Sequence, residues 1–193
     1  MKSIYLVLDM QNDLVHVDGP NGKGPLGEQV VQRKLIEKTA SCIALARSRN
    51  VPVGFVRVGF SADYRECPKN SPLFSGAPKA GLFKLGSWGT EIHADLGEQA
   101  SDLQVVKHRV SPFYSTTLMA QLRALQIERI YCSGVSTHAV VQATVRDGHD
   151  RDFSMVVIED CCAAPSAREH ENSIGSIERF CTVTRSDAEG LFA

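Results

Sequence analysis

Two charged residues close short apolar runs: Asp9 ends "SIYLVLD" (3–9), and Lys107 stands near the end of "DLQVVKH" (102–108). Taken singly, each has a plain alternative, because aspartate commonly leaves strands into turns and many strands end in a solvated lysine. As a pair they say more. A carboxylate and an ammonium brought to the same edge of one sheet set each other's protonation state, which is what acid–base chemistry needs. A third stretch, "IYCSGVSTHAVVQAT" (130–144), runs from an apolar segment through a glycine into a helical pattern. It offers Cys132, Ser136, Thr137 and His138 as reactive groups. His138 suits an ordinary first-turn helix side chain better than a catalytic one. Cys132, in a strand two residues before Gly134, is expected to point into a face of the sheet.

Other reactive side chains form no recognisable site. His16, His93, His108, His149 and His170 show no i, i+4 pairing with another histidine and no Asp-x-His cluster, so no metal site is expected. Gly19, Gly22, Gly24 and Gly27 match neither G-x-G-x-x-G nor GxxxxGK[ST], and read as a turn or loop. The six cysteines lack CxxC spacing. With no signal-peptide pattern, reduced thiols in the cytosol are expected, and Cys161 and Cys162 pack as small apolar groups.

Strands and helices alternate along the chain. Strands are expected at 3–9, 51–58, 102–108, 128–134, 153–160 and 181–185. Helical spacing covers 28–48, 115–126, 137–150 and 166–180. This order implies a mostly parallel sheet with helices on both faces and right-handed crossovers. Ligands in such sheets sit beyond the carboxyl ends of the strands, where Asp9, Lys107 and the 134–140 stretch all fall. The Gly/Pro-interrupted residues 60–100 are long for a structureless connection and suit a pocket lid; Phe60, Trp88 and, further on, Tyr114 suit pocket walls, and each equally suits the core or a subunit interface.

The chain has 193 residues, 43% of them hydrophobic, enough for the core of a single α/β domain spanning 1–193. Lys and Arg total 21 against 22 Asp and Glu, for a net charge of -1, which favours neither nucleic acid nor an anionic membrane as partner. No apolar run approaches the roughly 20 residues a bilayer requires. A cytoplasmic protein is expected.

Three segments sharpen this picture: "LVLDMQND" with Asp9, "VVKHRVSPFYSTTL" with Lys107, and "SGVSTHAVVQATVRDGHDRDFSMVVIEDCCAA". In this order they cover nearly the whole chain and resemble the isochorismatase-like (cysteine hydrolase) superfamily. The resemblance implies a three-layer α/β/α fold with a six-stranded, Rossmann-like sheet in the order 3-2-1-4-5-6. It also implies an enzyme acting on a small molecule without a cofactor, and a homodimer or higher homo-oligomer. Most members use an aspartate, a lysine and a cysteine, and the first two map onto Asp9 and Lys107. The cysteine belongs at the seventh place of G-V-x-T-x-x-C, and counting from Gly134 puts Val140 there.

An isopropyl group cannot attack a carbonyl or carry an acyl intermediate, so this resemblance points to a branch lacking the nucleophile. Isochorismatases also lack the cysteine; they carry glycine there and cleave a vinyl ether, for which a general acid suffices. Valine is bulkier than glycine, so an isochorismate-sized ring is not expected to fit over position 140. "RVGFSADY" (57–64), Phe113–Tyr114 and "APSAREHENSI" (164–174) resemble a cysteine-lacking subgroup. The family further implies a cis peptide between Val135 and Ser136, and backbone N–H groups of Ser136 and Val140 aimed into the pocket. Ser136, Thr137, His138, Val140, Phe60, Trp88 and Tyr114 are thus the expected substrate contacts. Two protonation schemes stay open: Asp9 as the acid, or an ionised Asp9 with Lys107 as the donor. A non-catalytic, ligand-binding member is the alternative.

Overall fold

The computed structural model describes residues 1–193. Six parallel strands form one sheet in the order β3-β2-β1-β4-β5-β6. In chain order the elements are β1 (Ser3–Leu8), α1 (Asn12–Val15), α2 (Pro25–Gln32), α3 (Leu35–Ser48), β2 (Val53–Val58) and α4 (Ala77–Ala80). There follow β3 (Leu103–Lys107), α5 (Leu118–Ala124), β4 (Arg129–Val135), α6 (Gln142–His149), β5 (Ser154–Ala163), α7 (Ala167–Ile177) and β6 (Thr182–Thr184).

β1 shows why this is a three-layer molecule. Successive side chains of a strand point to opposite faces, and both sets here are apolar. Tyr5 and Val7 join one core with Leu35, Ile43 and Ala46 of the α2–α3 layer. Ile4, Leu6 and Leu8 join the other with Leu118, Leu122, Val141 and Val145 of the α5–α7 layer. A smaller third cluster, including Phe60, Phe74 and Phe83, gathers over the carboxyl ends of the strands.

Two helices expected as single elements are divided. The 28–48 pattern splits at Lys34, whose φ of 51° is left-handed and ends α2 before α3 begins. The 137–150 pattern begins as one wide π turn, Thr137–Val141, in which the Val141 N–H reaches back to the Ser136 carbonyl at 3.4 Å, before α6 continues as an ordinary helix. The residues 60–100 hold only α4 and two short 3₁₀ turns, tied down by bridges Gln11–Ile92 and Phe60–Lys84. No helix is long and apolar enough to cross a membrane.

Candidate active site

Asp9 follows the last residue of β1 with a φ of 55°, a left-handed conformation that aspartate tolerates better than most residues. Its N–H is held by the Val56 carbonyl at 2.8 Å, so the side chain leaves the sheet at its carboxyl edge. Lys107 ends β3, two strands away across β2. Two strand spacings amount to roughly 10 Å, a gap that a long lysine stem can close and a short side chain cannot. It does close it: Lys107 Nζ lies 2.8 Å from Asp9 Oδ2, and also donates to the Arg109 carbonyl at 3.1 Å. Both side chains are almost wholly buried.

The two oxygens of Asp9 therefore differ. Oδ2 is engaged by the ammonium, while Oδ1 is buried and has no hydrogen-bond partner. Buried polar atoms normally find partners, and those that do not are candidates for ligand contact. Burial is the larger influence on this carboxyl and drives its pKa above the usual 3.8, against the opposing pull of the Lys107 ammonium.

Asp9 and Lys107 open onto a cavity of about 280 Å³. The turn that opens the α6 segment contributes Ser136, His138, Ala139 and Val140 to its lining, and the Val135–Ser136 peptide bond leading into that turn is cis. Its remaining walls are mostly apolar and come from Leu73, Phe74, Leu82 and Phe83, together with Leu14 and Leu26. Cysteine is absent from the lining. Cys132 lies fully buried in the core on one face of the sheet, as its strand position requires.

Four expected contacts lie elsewhere. Phe60 is fully buried behind the wall, its ring 5.7 Å from that of Phe74, so it supports the lining without forming it. Trp88 is half exposed and packs edge-on against His16 at 4.9 Å, because its carbonyl is held by Asn12 Nδ2 at 2.9 Å on the outer side of α1. Tyr114 is exposed on the loop after β3 and does not reach the cavity. Thr137 is fully buried and turns away from the cavity, its hydroxyl 2.9 Å from His170 Nδ1. The walls from Leu73 to Phe83 are not legible in the sequence because that stretch holds only the one-turn helix α4, and no sustained period orients its side chains. A larger groove of about 550 Å³ lies beside the β3 edge, but its Arg57 is already paired with Glu98 and it contains neither Asp9 nor Lys107.

Residues 11–13 hold this arrangement in place. Gln11 pairs with Val58 of β2 as a strand would, donating to its carbonyl at 3.0 Å and accepting from its N–H at 2.9 Å. Asp13 Oδ2 accepts from the Phe83 N–H at 2.7 Å and so fixes one wall of the cavity.

Comparison with known proteins is decisive at the level of family. The isochorismatase domain matches residues 3–188, nearly the whole chain. The chain belongs to the isochorismatase family. Within the family it is 35% identical to the isochorismatase family protein YecD of Escherichia coli O157:H7, over 97% of this chain and 94% of that protein. It is 29% identical to a ureidoacrylate amidohydrolase, RutB, of Methylorubrum extorquens, over 92% of this chain and 77% of that one. Among solved structures, an isochorismatase family protein from Desulfovibrio vulgaris superposes with a TM-score of 0.84 at 25% identity, covering 96% of this chain and 94% of the other.

Proposed function

We propose that this chain is a hydrolase of a small metabolite that works by Asp9/Lys107 proton transfer without a cysteine nucleophile. The observation that carries the reading is the free, buried Oδ1 of Asp9 in the cavity, beside an Oδ2 held by Lys107. Family membership and the amidohydrolase among its relatives support the reaction class. Val140, at the place where the family motif has its cysteine, removes the thioester route.

Of the two protonation schemes, the raised pKa of Asp9 favours the carboxyl as acid. Oδ1 delivers its proton to the substrate, to the alkene carbon of a vinyl ether or to the departing nitrogen of a C–N bond, where water adds to the carbon that the nitrogen leaves and gives up one proton to restore Asp9. The carboxylate left behind is stabilised by the ammonium 2.8 Å away. In the vinyl-ether case, water adds to the resulting oxocarbenium carbon and returns one proton to Asp9. The hemiketal then collapses to a carbonyl compound and an alcohol, so the enzyme ends unchanged. Ser136 and Val140 line the same cavity, and the backbone N–H groups that the family resemblance aims into it suit a developing negative charge or a carboxylate of the substrate.

The test is a screen of isochorismate, nicotinamide, ureido acids and N-carbamoyl compounds, followed by variants. Asp9→Asn and Lys107→Ala are each expected to lower turnover at least about 100-fold. Turnover that survives both substitutions would sink the mechanism. Binding of a ligand with no turnover in any variant supports the second reading, a non-catalytic ligand-binding member, which the loss of a nucleophile at position 140 favours. The family resemblance also carries an expectation of a homodimer or higher homo-oligomer; sedimentation as a monomer would remove it.

A further inference from the structure

The mechanism above uses Asp9, Lys107 and the 136–140 backbone, and leaves unassigned a polar cluster in which buried Thr137 and His170 meet the partly buried Arg33 and Glu159. His170, on α7, is 3% exposed and Thr137 is fully buried. Thr137 Oγ1 and His170 Nδ1 are 2.9 Å apart. On the other side of the ring, His170 Nε2 lies 3.2 Å from Glu159 Oε2 and 3.0 Å from Arg33 Nη2. Arg33 donates in turn to Glu159 Oε2 at 3.0 Å, to the Glu159 carbonyl at 3.1 Å and, through Nε, to the Cys162 carbonyl at 2.9 Å.

We infer that His170 is a positioning residue for the cavity turn, clamping Thr137 so that Ser136, His138 and Val140 keep their places in the wall. The inference rests on the proposed function only for its effect on turnover. Three features of the geometry support it. First, Thr137–Val141 is a single wide π turn whose Val141 N–H reaches the Ser136 carbonyl only at 3.4 Å, weaker backbone support than an ordinary helical turn provides. Second, Thr137 is the one residue in that turn whose polar side chain faces away from the cavity into the protein, and its partner is His170. Third, His170 is itself immobilised. Ser166 caps α7 by accepting from the Glu169 N–H at 3.2 Å, and Glu159 and Arg33 grip the far edge of the ring.

The ring can satisfy its neighbours in either neutral tautomer. With the proton on Nε2, it donates to Glu159 and accepts from Thr137. With the proton on Nδ1, it donates to Thr137 and accepts from Arg33. Both keep the bond to Thr137, so the clamp does not depend on which tautomer is present. The arrangement thus runs from the turn between α2 and α3, through β5 and α7, to the cavity wall, without a member that touches substrate.

Backbone amide exchange tests this without any substrate. In His170→Ala, exchange at residues 136–142 is expected to accelerate about ten-fold or more, while the β1 and β2 amides stay within about two-fold of the parent. His170→Asn, which keeps a polar atom near the Nδ1 position, is expected to restore most of the protection. Unchanged exchange at 136–142 in His170→Ala overturns the inference, as does acceleration spread evenly over the sheet. If His170→Ala does not fold, Thr137→Val serves, because it removes the hydroxyl and keeps the shape; it is expected to show the same local acceleration. On a substrate found by the screen, His170→Ala should lower kcat about ten-fold with KM within about two-fold, and His170→Asn should recover it. Local exchange that accelerates as expected while Asp9→Asn leaves turnover intact would reject the proton-transfer mechanism and keep the clamp.

Discussion

At the residue scale, Asp9 carries the most weight, and its behaviour turns on two opposed influences of different size. The Lys107 ammonium favours the carboxylate, but burial favours the neutral acid by more, so the pKa lies above 3.8. If protonated Asp9 is the working form, activity is full below the raised pKa and falls as pH rises through it. A kcat profile should show this descending limb, and Asp9→Asn should lose it along with the rate; a rate that climbs through the same range would assign Asp9 as a base instead. That Asp9 and Lys107 belong together could be read from residue order, since each ends an apolar strand and parallel strands put such ends on one edge. The direction of the pKa shift could not, because it depends on how much protein covers the carboxyl.

At the element scale, β4 determines where the cavity turn begins. Between Cys132 and Gly134 its pairing with β5 slips, from Cys132 opposite Val157 to Gly134 opposite Cys162. Gly134 has a φ of 145°, and a Cβ there would lie 2.0 Å from the Leu8 carbonyl oxygen, immediately before Asp9. A side chain is therefore excluded by backbone it cannot displace, and by a conformation L-residues rarely adopt. Gly134→Ala should destabilise the protein by about 3 kcal/mol, a fall in Tm of roughly 6–12 °C, measurable by thermal or denaturant unfolding. A change under about 0.5 kcal/mol would mean the backbone relaxes there at little cost. The strands themselves were readable from their β-rich apolar runs. The break at Lys34 and the π turn at 137–141 were not, since helical spacing continues through both while the backbone departs from it.

Across the whole molecule, packing leaves five of the six thiols buried. All six cysteines are free, and only Cys181 is not buried. Burial pushes the Cys132 thiol well up and the Cys162 thiol to about 12, so neither supplies a thiolate near neutral pH. Iodoacetamide should therefore leave any activity intact and modify at most Cys181 in the folded protein, whereas all six react in denaturant. Rapid inactivation traced to a single cysteine would overturn the reading of Val140. Val140→Cys is the converse probe: a gain of amidase activity would show that the remaining machinery is in place. By itself the sequence determined the layered α/β architecture, the pairing of Asp9 with Lys107 and the position of the turn that faces them. All three follow from local periodicity and from the rule that parallel strands end together. Only the tertiary structure decided that Leu73 to Phe83 supply the walls while Trp88 and Tyr114 stand outside, and that Thr137 faces His170. Those contacts join segments far apart in the chain through side chains whose direction no local period sets.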